Sequence, residues 1–341
     1  MNYNNIIIMI AVGIDAGTNT SELIVLKDEK VVERISYHRL DDKVVKDLKE
    51  IDADVYAGLS GYGLPVKKFS EIDDRELTLM TLNFDETIIG LRRIVEMIRE
   101  DEIGRRMYTI PAVIHLPTVP EYRKLNKIDM GTSDKVCSVA LAMYQLKKEG
   151  VKYERQNFVL VEAGYGFNAF IAVKNGKIVD GLGGTSGFPS FSSIGAIDGE
   201  LAYLLSDFPK SMLFNGGIKS YLNIDRMEEL PRFAVEWLCE YIVKGIRAVS
   251  VSLKEYDVIV SGRFFDLFYE EFVEFSGIKA KKLKSVGKQS AEGAAIIANG
   301  LAGGKFKELV EHLELKKAKG TILDYITPDI KKFLRIKWLL D

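Results

Sequence analysis

The sequence predicts an α/β protein made of two halves of one design, and three observations carry that prediction. Short apolar strands alternate with helical stretches along 341 residues, the pattern of layered α/β domains. At roughly 150 residues per domain, the length suits about two domains. The opening unit also recurs: residues 12–32 overlay residues 159–179 without a gap. Asp15 falls on Glu162, Gly17 on Gly164, and the turn lysines Lys27 and Lys30 on Lys174 and Lys177. Alternation plus a turn is common to any meander, but an acid and two lysines held in register indicate a true internal repeat.

The elements follow in order. Residues 10–16, 21–26 and 31–37 read as strands, with a polar turn at 27–30. Residues 42–51 have helical spacing, and 53–59 return as an apolar strand. Over 85–99 the apolar residues Ile88, Leu91, Val95 and Ile98 recur as on an amphipathic helix. Residues 109–116 read as a strand that stops at Pro117, and 133–148 as a helix. The second meander has Asn175-Gly176 at its hairpin, the pair that a type I′ turn prefers. A Gly-rich loop (181–187), a long helix (226–253), a buried strand (257–260) and helices at 264–275, 290–299 and 305–313 come next. The last 25 or so residues read as an ordered tail helix. The expected organisation is an N-terminal lobe over 1–152, a second lobe over 153–310 and a helical tail over 311–341.

Composition narrows the function. With 47% hydrophobic and 28% charged residues the chain can bury a core. Its 47 Lys and Arg balance 49 Asp and Glu, so nucleic acid is not an expected partner, because phosphate contacts need a basic excess. Cys137 and Cys239 are too few for a disulfide framework or a Cys-rich metal site. The apolar run at 6–10 is too short to span a bilayer and lacks the basic start of a signal peptide. The expectation is a cytoplasmic protein with a small-molecule substrate and no membrane partner, a homodimer being left open. Scarce Gln, Cys and His beside abundant Lys and Glu suggest a thermophile.

Four stretches carry candidate chemistry. In Asp15-Ala16-Gly17-Thr18-Asn19-Thr20-Ser21 a buried strand delivers a carboxylate to a small-residue turn. Such a turn is either a polar hairpin loop or an anion-binding nest for phosphates, with Asp15 holding Mg²⁺ through water. Glu162-Ala163-Gly164-Tyr165-Gly166 mirrors it, and two facing turns can grip one phosphate chain and its metal. The stretch Lys127-Ile128-Asp129-Met130-Gly131-Thr132-Ser133-Asp134-Lys135 precedes a helix. Thr132 or Ser133 suits an N-cap, and the same helix start suits an anion. Asp129 or Asp134 is a candidate base toward a hydroxyl. His115 is a substrate contact or a structural histidine, and Arg123 an anion partner or a surface arginine. Ser261-Gly262-Arg263 ends an apolar strand and lets a nucleotide base or ribose approach the backbone. GxxxxGK[ST] and GxGxxG signatures are absent from the sequence.

Together these residues resemble the acetate and sugar kinase, Hsp70 and actin superfamily, across most of the chain to about residue 303. The segment 14–21 resembles its first phosphate motif, 162–166 its second and 258–262 its adenosine motif. Residues 133–146 and 290–300 resemble its connecting helices. Through Leu116-Pro117-Thr118-Val119-Pro120-Glu121-Tyr122-Arg123 and residues 127–135 the chain is most similar to the archaeal DUF1464 group of predicted butyrate kinases. The resemblance implies two ribonuclease-H-like lobes around a nucleotide cleft, with ATP and Mg²⁺ as cofactors. It implies phosphoryl transfer to a short-chain carboxylate such as butyrate, to a sugar or other hydroxyl, or use of ATP as a switch, as in actin and chaperones. Asp15 and Glu162 would serve the metal, with Gly17, Thr18, Asn19, Thr20, Gly164, Tyr165, Gly166, Ser261, Gly262 and Arg263 on the nucleotide. His115, Lys127, Thr132 and Ser133 would face the acceptor, and Asp129, Asp134 and Arg123 would assist transfer. Asp15 matches the sugar kinases, since acetate and butyrate kinases carry Asn there.

Overall fold

The computed structural model describes residues 8–17, 20–38, 40–82 and 90–339. The first half contains β1 (Ile10–Ala16), β2 (Ser21–Lys27), β3 (Lys30–Tyr37), α1 (Asp42–Glu50), β4 (Val55–Gly58), α2 (Asp74–Thr81), α3 (Leu91–Arg99) and β5 (Met107–Tyr108). The short α4 (Glu121–Lys124) and the long α5 (Ser133–Lys148) complete it. Strand β1 pairs antiparallel with β2 and parallel with β4, so the sheet runs β3-β2-β1-β4-β5. Helix starts follow local chemistry: the Asp41 carboxylate accepts the Lys43 N–H at α1, and Asp73 forms a capping box with Glu76 at α2.

The second half repeats the plan with β6 (Phe158–Ala163), β7 (Asn168–Lys174), β8 (Lys177–Leu182), α6 (Gly199–Leu205), α7 (Ile218–Leu222), α8 (Arg232–Val249), β9 (Asp257–Ser261), α9 (Arg263–Ser276) and β10 (Lys281–Lys282). Its sheet runs β10-β9-β6-β7-β8. Asp15 pairs with Glu22 and Glu162 with Ala169, the matching positions of the repeat. Even the register irregularity recurs, between Val25 and Leu26 and between Ala172 and Val173. Then come α10 (Gln289–Leu301), α11 (Lys307–His312) and α12 (Pro328–Lys331).

Strand alternation sorts the side chains into layers. Val12 and Ile14 face an outer core with α1 and α3, and Val159 and Val161 face a second outer core with α8 and α9. Ala11 of β1 and Phe158 and Leu160 of β6 face a shared inner core filled by α5 and α10. Helix α10 leaves the second sheet, yet packs along β1, β4 and α5 of the first. Two glycines permit that approach. A Cβ on Gly13 would overlap the Ala291 carbonyl of α10, and one on Gly293 would overlap the Cys137 carbonyl of α5.

Some elements differ from the reading of the sequence. The strand expected over 109–116 is not formed: β5 covers Met107–Tyr108, and beyond it Pro111, which has no N–H to donate, makes only an isolated bridge with Gly63. The chain instead makes a 3-10 turn at Val113–His115. The long helix begins only at Arg232, after Pro231. Gly320 and Pro328 break the tail into short turns rather than one helix, although Ile322, Leu323, Ile326 and Leu339 are buried in the inner core. The helix expected over 85–99 is seen as Leu91–Arg99, and residues 85–89 lie outside the described ones.

Gly293→Ala gives a direct test of the helix approach. Alanine favours a helix over glycine by about 1 kcal/mol, but overpacking costs about 1–3 kcal/mol or more, and the Cys137 carbonyl is backbone that cannot swing aside. A net loss of stability is expected in urea denaturation; a gain would mean that the helices separate freely.

Candidate functional site

On β1, Asp15 shares the parity of Ala11 and Gly13, and on β6 Glu162 shares that of Phe158 and Leu160. Both carboxylates therefore emerge on the inner side, each at the end of its sheet's central strand. Asp15 is buried, and its Oδ1 has no hydrogen-bond partner among the described residues. The first turn of α5 brings Asp134 and Lys135 between them. Lys135 donates to Asp134 Oδ2 at 2.6 Å and to Glu162 Oε1, joining the two halves, and Ser138 donates to Glu162 Oε2 at 3.4 Å.

The charges explain one another. Burial pushes the Glu162 carboxyl above the usual carboxylate range, and the Asp134 and Asp15 charges add to the rise against the pull of Lys135. For Asp134 burial also disfavours the charge, but Lys135 and the Thr132 hydroxyl outweigh it and hold the carboxyl low. Burial likewise opposes the Lys135 ammonium, yet Asp134 and Glu162 keep it more firmly protonated than an ordinary lysine. A second lysine, Lys288 at the start of α10, donates to Asp15 Oδ2 at 3.0 Å and to the Thr20 carbonyl. Neither lysine stood out in the sequence; Lys135 lay inside a noted motif, whereas Lys288 carried no signal.

The turns themselves are only partly open. The Gly164 N–H closes its own turn on the Phe167 carbonyl at 3.1 Å, so this donor is not free for a phosphate. The Gly166 carbonyl is buttressed by the Ser193 N–H at 3.0 Å and the Ser190 hydroxyl. Tyr165 stacks edge-on against Phe191, and its hydroxyl donates to the Asp225 carbonyl. Gly17 lies under the Lys288 ammonium, while Thr18 and Asn19 lie outside the described residues. Ser261 is buried beside Glu162 across the β6–β9 pairing, and its Oγ has no partner among the described residues. Gly262 has φ +100°, and a Cβ there would overlap the Ala163 carbonyl, so glycine is required. Arg263 pairs with Glu228.

The acceptor-side residues are mostly committed elsewhere. Asp129 Oδ2 accepts the Thr185 N–H and hydroxyl, both at 2.9 Å, and its Oδ1 accepts the Gly131 N–H at 3.1 Å. It therefore anchors the Gly-rich loop. The Arg123 guanidinium donates to the Val179 carbonyl at 2.8 Å and lies 3.4 Å from Asp180. His115 is buried, its Nδ1 accepting the Ala112 N–H, with Lys124 and Asp324 as its charged neighbours. Burial pulls its pKa down to about 4, and none of the cleft carboxylates acts on it. Ser133 is buried with its N–H on the Gly61 carbonyl. Thr132 occupies the N-cap position, but its hydroxyl donates to Asp134 instead of capping. Lys127 is half-buried on the preceding loop.

Two repeated sheets, inner connecting helices and a carboxylate from each half define the two-lobed fold of the acetate and sugar kinase, Hsp70 and actin superfamily. The chain belongs to the family described as protein of unknown function (DUF1464), whose model matches residues 13–328. No curated protein matches it. Among solved structures it is similar to an acetate kinase from Entamoeba histolytica, at TM-score 0.56 and 12% identity over 77% of this chain and 84% of that one. It is also similar to a propionate kinase from Francisella tularensis subsp. tularensis SCHU S4, at TM-score 0.57 and 12% identity over 84% of this chain and 98% of that one. These likenesses are of fold. Among the described helices none is long and apolar enough to cross a membrane.

Lys135→Met leaves Asp134 and Glu162 facing each other in a poorly solvated site. Breaking such a buried pair costs about 3–5 kcal/mol, and that loss is expected at pH 7.5 by chemical denaturation. A carboxyl whose folded pKa exceeds its unfolded value, as for Glu162 against 4.5, binds protons more tightly when folded, so its folded form gains stability as pH falls. Lys135→Met removes the pull that lowers this carboxyl, so the rise and the gain are larger in the variant than in wild type, and the deficit should shrink at pH 5. An equal deficit at both pH values would show that Lys135 acts by packing alone.

Proposed function

We propose that this protein is an ATP-dependent small-molecule kinase. The observation that carries the reading is the convergence of Asp15, Glu162 and Asp134, delivered by two repeated strands and one helix start to a single interlobe site. Phosphoryl transfer is mainly positioning and charge neutralisation, and this site supplies both. The ribose and base would lie along Ser261–Gly262 at the end of β9, where the Ser261 hydroxyl has no partner among the described residues. The phosphates would cross toward the turn after β1.

Asp15, with a buried and unpartnered oxygen, and Glu162 fit a magnesium ion held through water. Among the described residues no three acidic, His or Cys side chains form a closed ligand set, so a magnesium ion here would take its remaining ligands from water and phosphate. When bound, magnesium supplies charge neutralisation of the phosphate oxygens. Asp15 and Glu162 would orient its shell, and the Lys135 ammonium bridges Asp134 and Glu162.

The acceptor is proposed to be a short-chain acid such as butyrate, in line with the family resemblance and with the acids named for the two fold relatives. A specific observation supports the hydroxyl alternative. Arg123, the arginine best suited to a carboxylate, is spent on Val179 and Asp180, and an alcohol would reach Asp134 only by displacing the Thr132 hydroxyl from its Oδ1. Hydroxylamine trapping of acyl phosphate, with ATP, magnesium and a panel of short-chain acids, separates the two while ADP is followed in parallel. Hydroxamate formed with butyrate or its neighbours identifies a carboxylate kinase. ADP released only with a sugar or another alcohol identifies a hydroxyl kinase, and ADP release indifferent to every acceptor sinks the kinase reading in favour of a switch. With either acceptor, Asp15→Asn and Glu162→Gln should each lower kcat by about 100-fold or more.

A further inference from the structure

The geometry at the start of α10 points to a role for Lys288 that no motif assigns: we propose that its ammonium is a ligand of the nucleotide phosphate chain. The inference rests on the kinase reading and deepens it. Lys288 is placed by three contacts on one hairpin. Its backbone N–H donates to Glu22 Oε2 at 3.1 Å, and its ammonium to Asp15 Oδ2 at 3.0 Å and to the Thr20 carbonyl. Its neighbour Gly287 is glycine for the same reason, since a Cβ there would overlap the Glu22 carboxylate.

The ammonium consequently lies directly over Gly17, the centre of the turn after β1. It fills the space a phosphate oxygen would take, while Asp15 Oδ1, buried beneath it, is left without a partner among the described residues. Lys288 also retains freedom that Lys135 lacks. It is the more exposed of the two, at 26% against 14%, and has a single carboxylate to release, whereas Lys135 is clamped between two. Its long flexible stem lets the ammonium turn from Asp15 to an arriving phosphate, which replaces the lost ion pair. Asp15 is then free for the metal shell.

Calorimetric titration with ADP and with AMP, in EDTA so that no metal contributes, tests this on the full chain. Wild type should bind ADP more tightly than AMP, and Lys288→Met should weaken ADP by about 10- to 100-fold, the worth of a charge-assisted hydrogen bond, while changing AMP less than threefold. The same comparison on an Asp15→Asn background separates the roles and covers the case in which Lys288→Met alone does not fold. If Lys288 binds phosphate, its removal still weakens ADP there; if it only neutralises Asp15, ADP affinity is unchanged and the proposal falls while the kinase reading stands. Wild type that binds neither nucleotide, in EDTA or with magnesium restored, overturns the kinase reading itself.

Discussion

The arrangement of the whole molecule depends on one close approach: the backbone of α10 lying against β1 on one side and α5 on the other. Gly13 and Gly293 remove the two side chains that would hold these elements apart, and the small residues Ala291, Ala294, Ala295 and Ala298 fill the seam with no exposed surface. Dense contact of this kind gains dispersion energy from many weak pairs and leaves no room to slide. Because α10 comes from the second half and packs on the first, the seam does more than bury apolar area. It fixes the separation of the two central strands, and therefore the distance between Asp15 and Glu162. It also sets the helix start that carries Lys288 and the neighbouring helix start that carries Asp134 and Lys135.

Three carboxylates gathered this way repel one another, and their desolvation adds to the cost. Two lysines offset it, one from each connecting helix. Lys135 is the bridge, touching an acid of its own helix and an acid of the opposite sheet, while Lys288 covers Asp15. Further cations tie the halves together away from the centre. Arg123 reaches from α4 to β8, and the Lys210 ammonium donates to the Thr81 and Leu82 carbonyls at the end of α2, at 2.9 and 2.8 Å. Burial pulls the Lys210 amine down to about 8, the expected direction for a lysine held by carbonyls with no counter-charge among the described residues. Around the apolar inner core these polar contacts between the lobes run from cation to oxygen, directional bonds that a change of lobe angle would break one by one.

Much of this was legible in the sequence because it is encoded locally. Strand alternation, helical spacing and turn residues gave the elements, and α5 has the limits its periodicity indicates. The repeat was legible because both copies keep the same turn chemistry. Asp15 and Glu162 followed from their place at strand ends. What local signals do not carry is pairing over distance. Asp129 and Asp134 lie five positions apart on one loop and helix start, and nothing in their spacing tells that one anchors Thr185 while the other enters the cleft. Arg123 looked free until β8 arrived beside it, and His115 looked like a strand-end residue until Pro111 turned the chain. Lys288 meets Asp15 across 273 positions, and an isolated lysine after a glycine announces nothing.

Counting charge at the centre leads one step further. Asp15, Asp134 and Glu162 against Lys135 and Lys288 leave one negative charge before any ligand arrives, in a region where water is too sparse to screen it fully. A phosphate chain adds more of the same sign, so it enters only with a cation or by drawing one from the protein. The two lysines differ in how readily they can be drawn. Removing Lys135 from its bridge would expose two carboxylates to each other, whereas turning Lys288 exposes only Asp15, whose second oxygen is already unpaired among the described residues and poised for a hydrated cation. The same count bears on the acceptor. On the proposed kinase reading, a carboxylate acceptor would bring a further negative charge to this site, whereas an alcohol would arrive neutral. The electrostatics of the cleft therefore weigh on acceptor class as directly as they do on nucleotide.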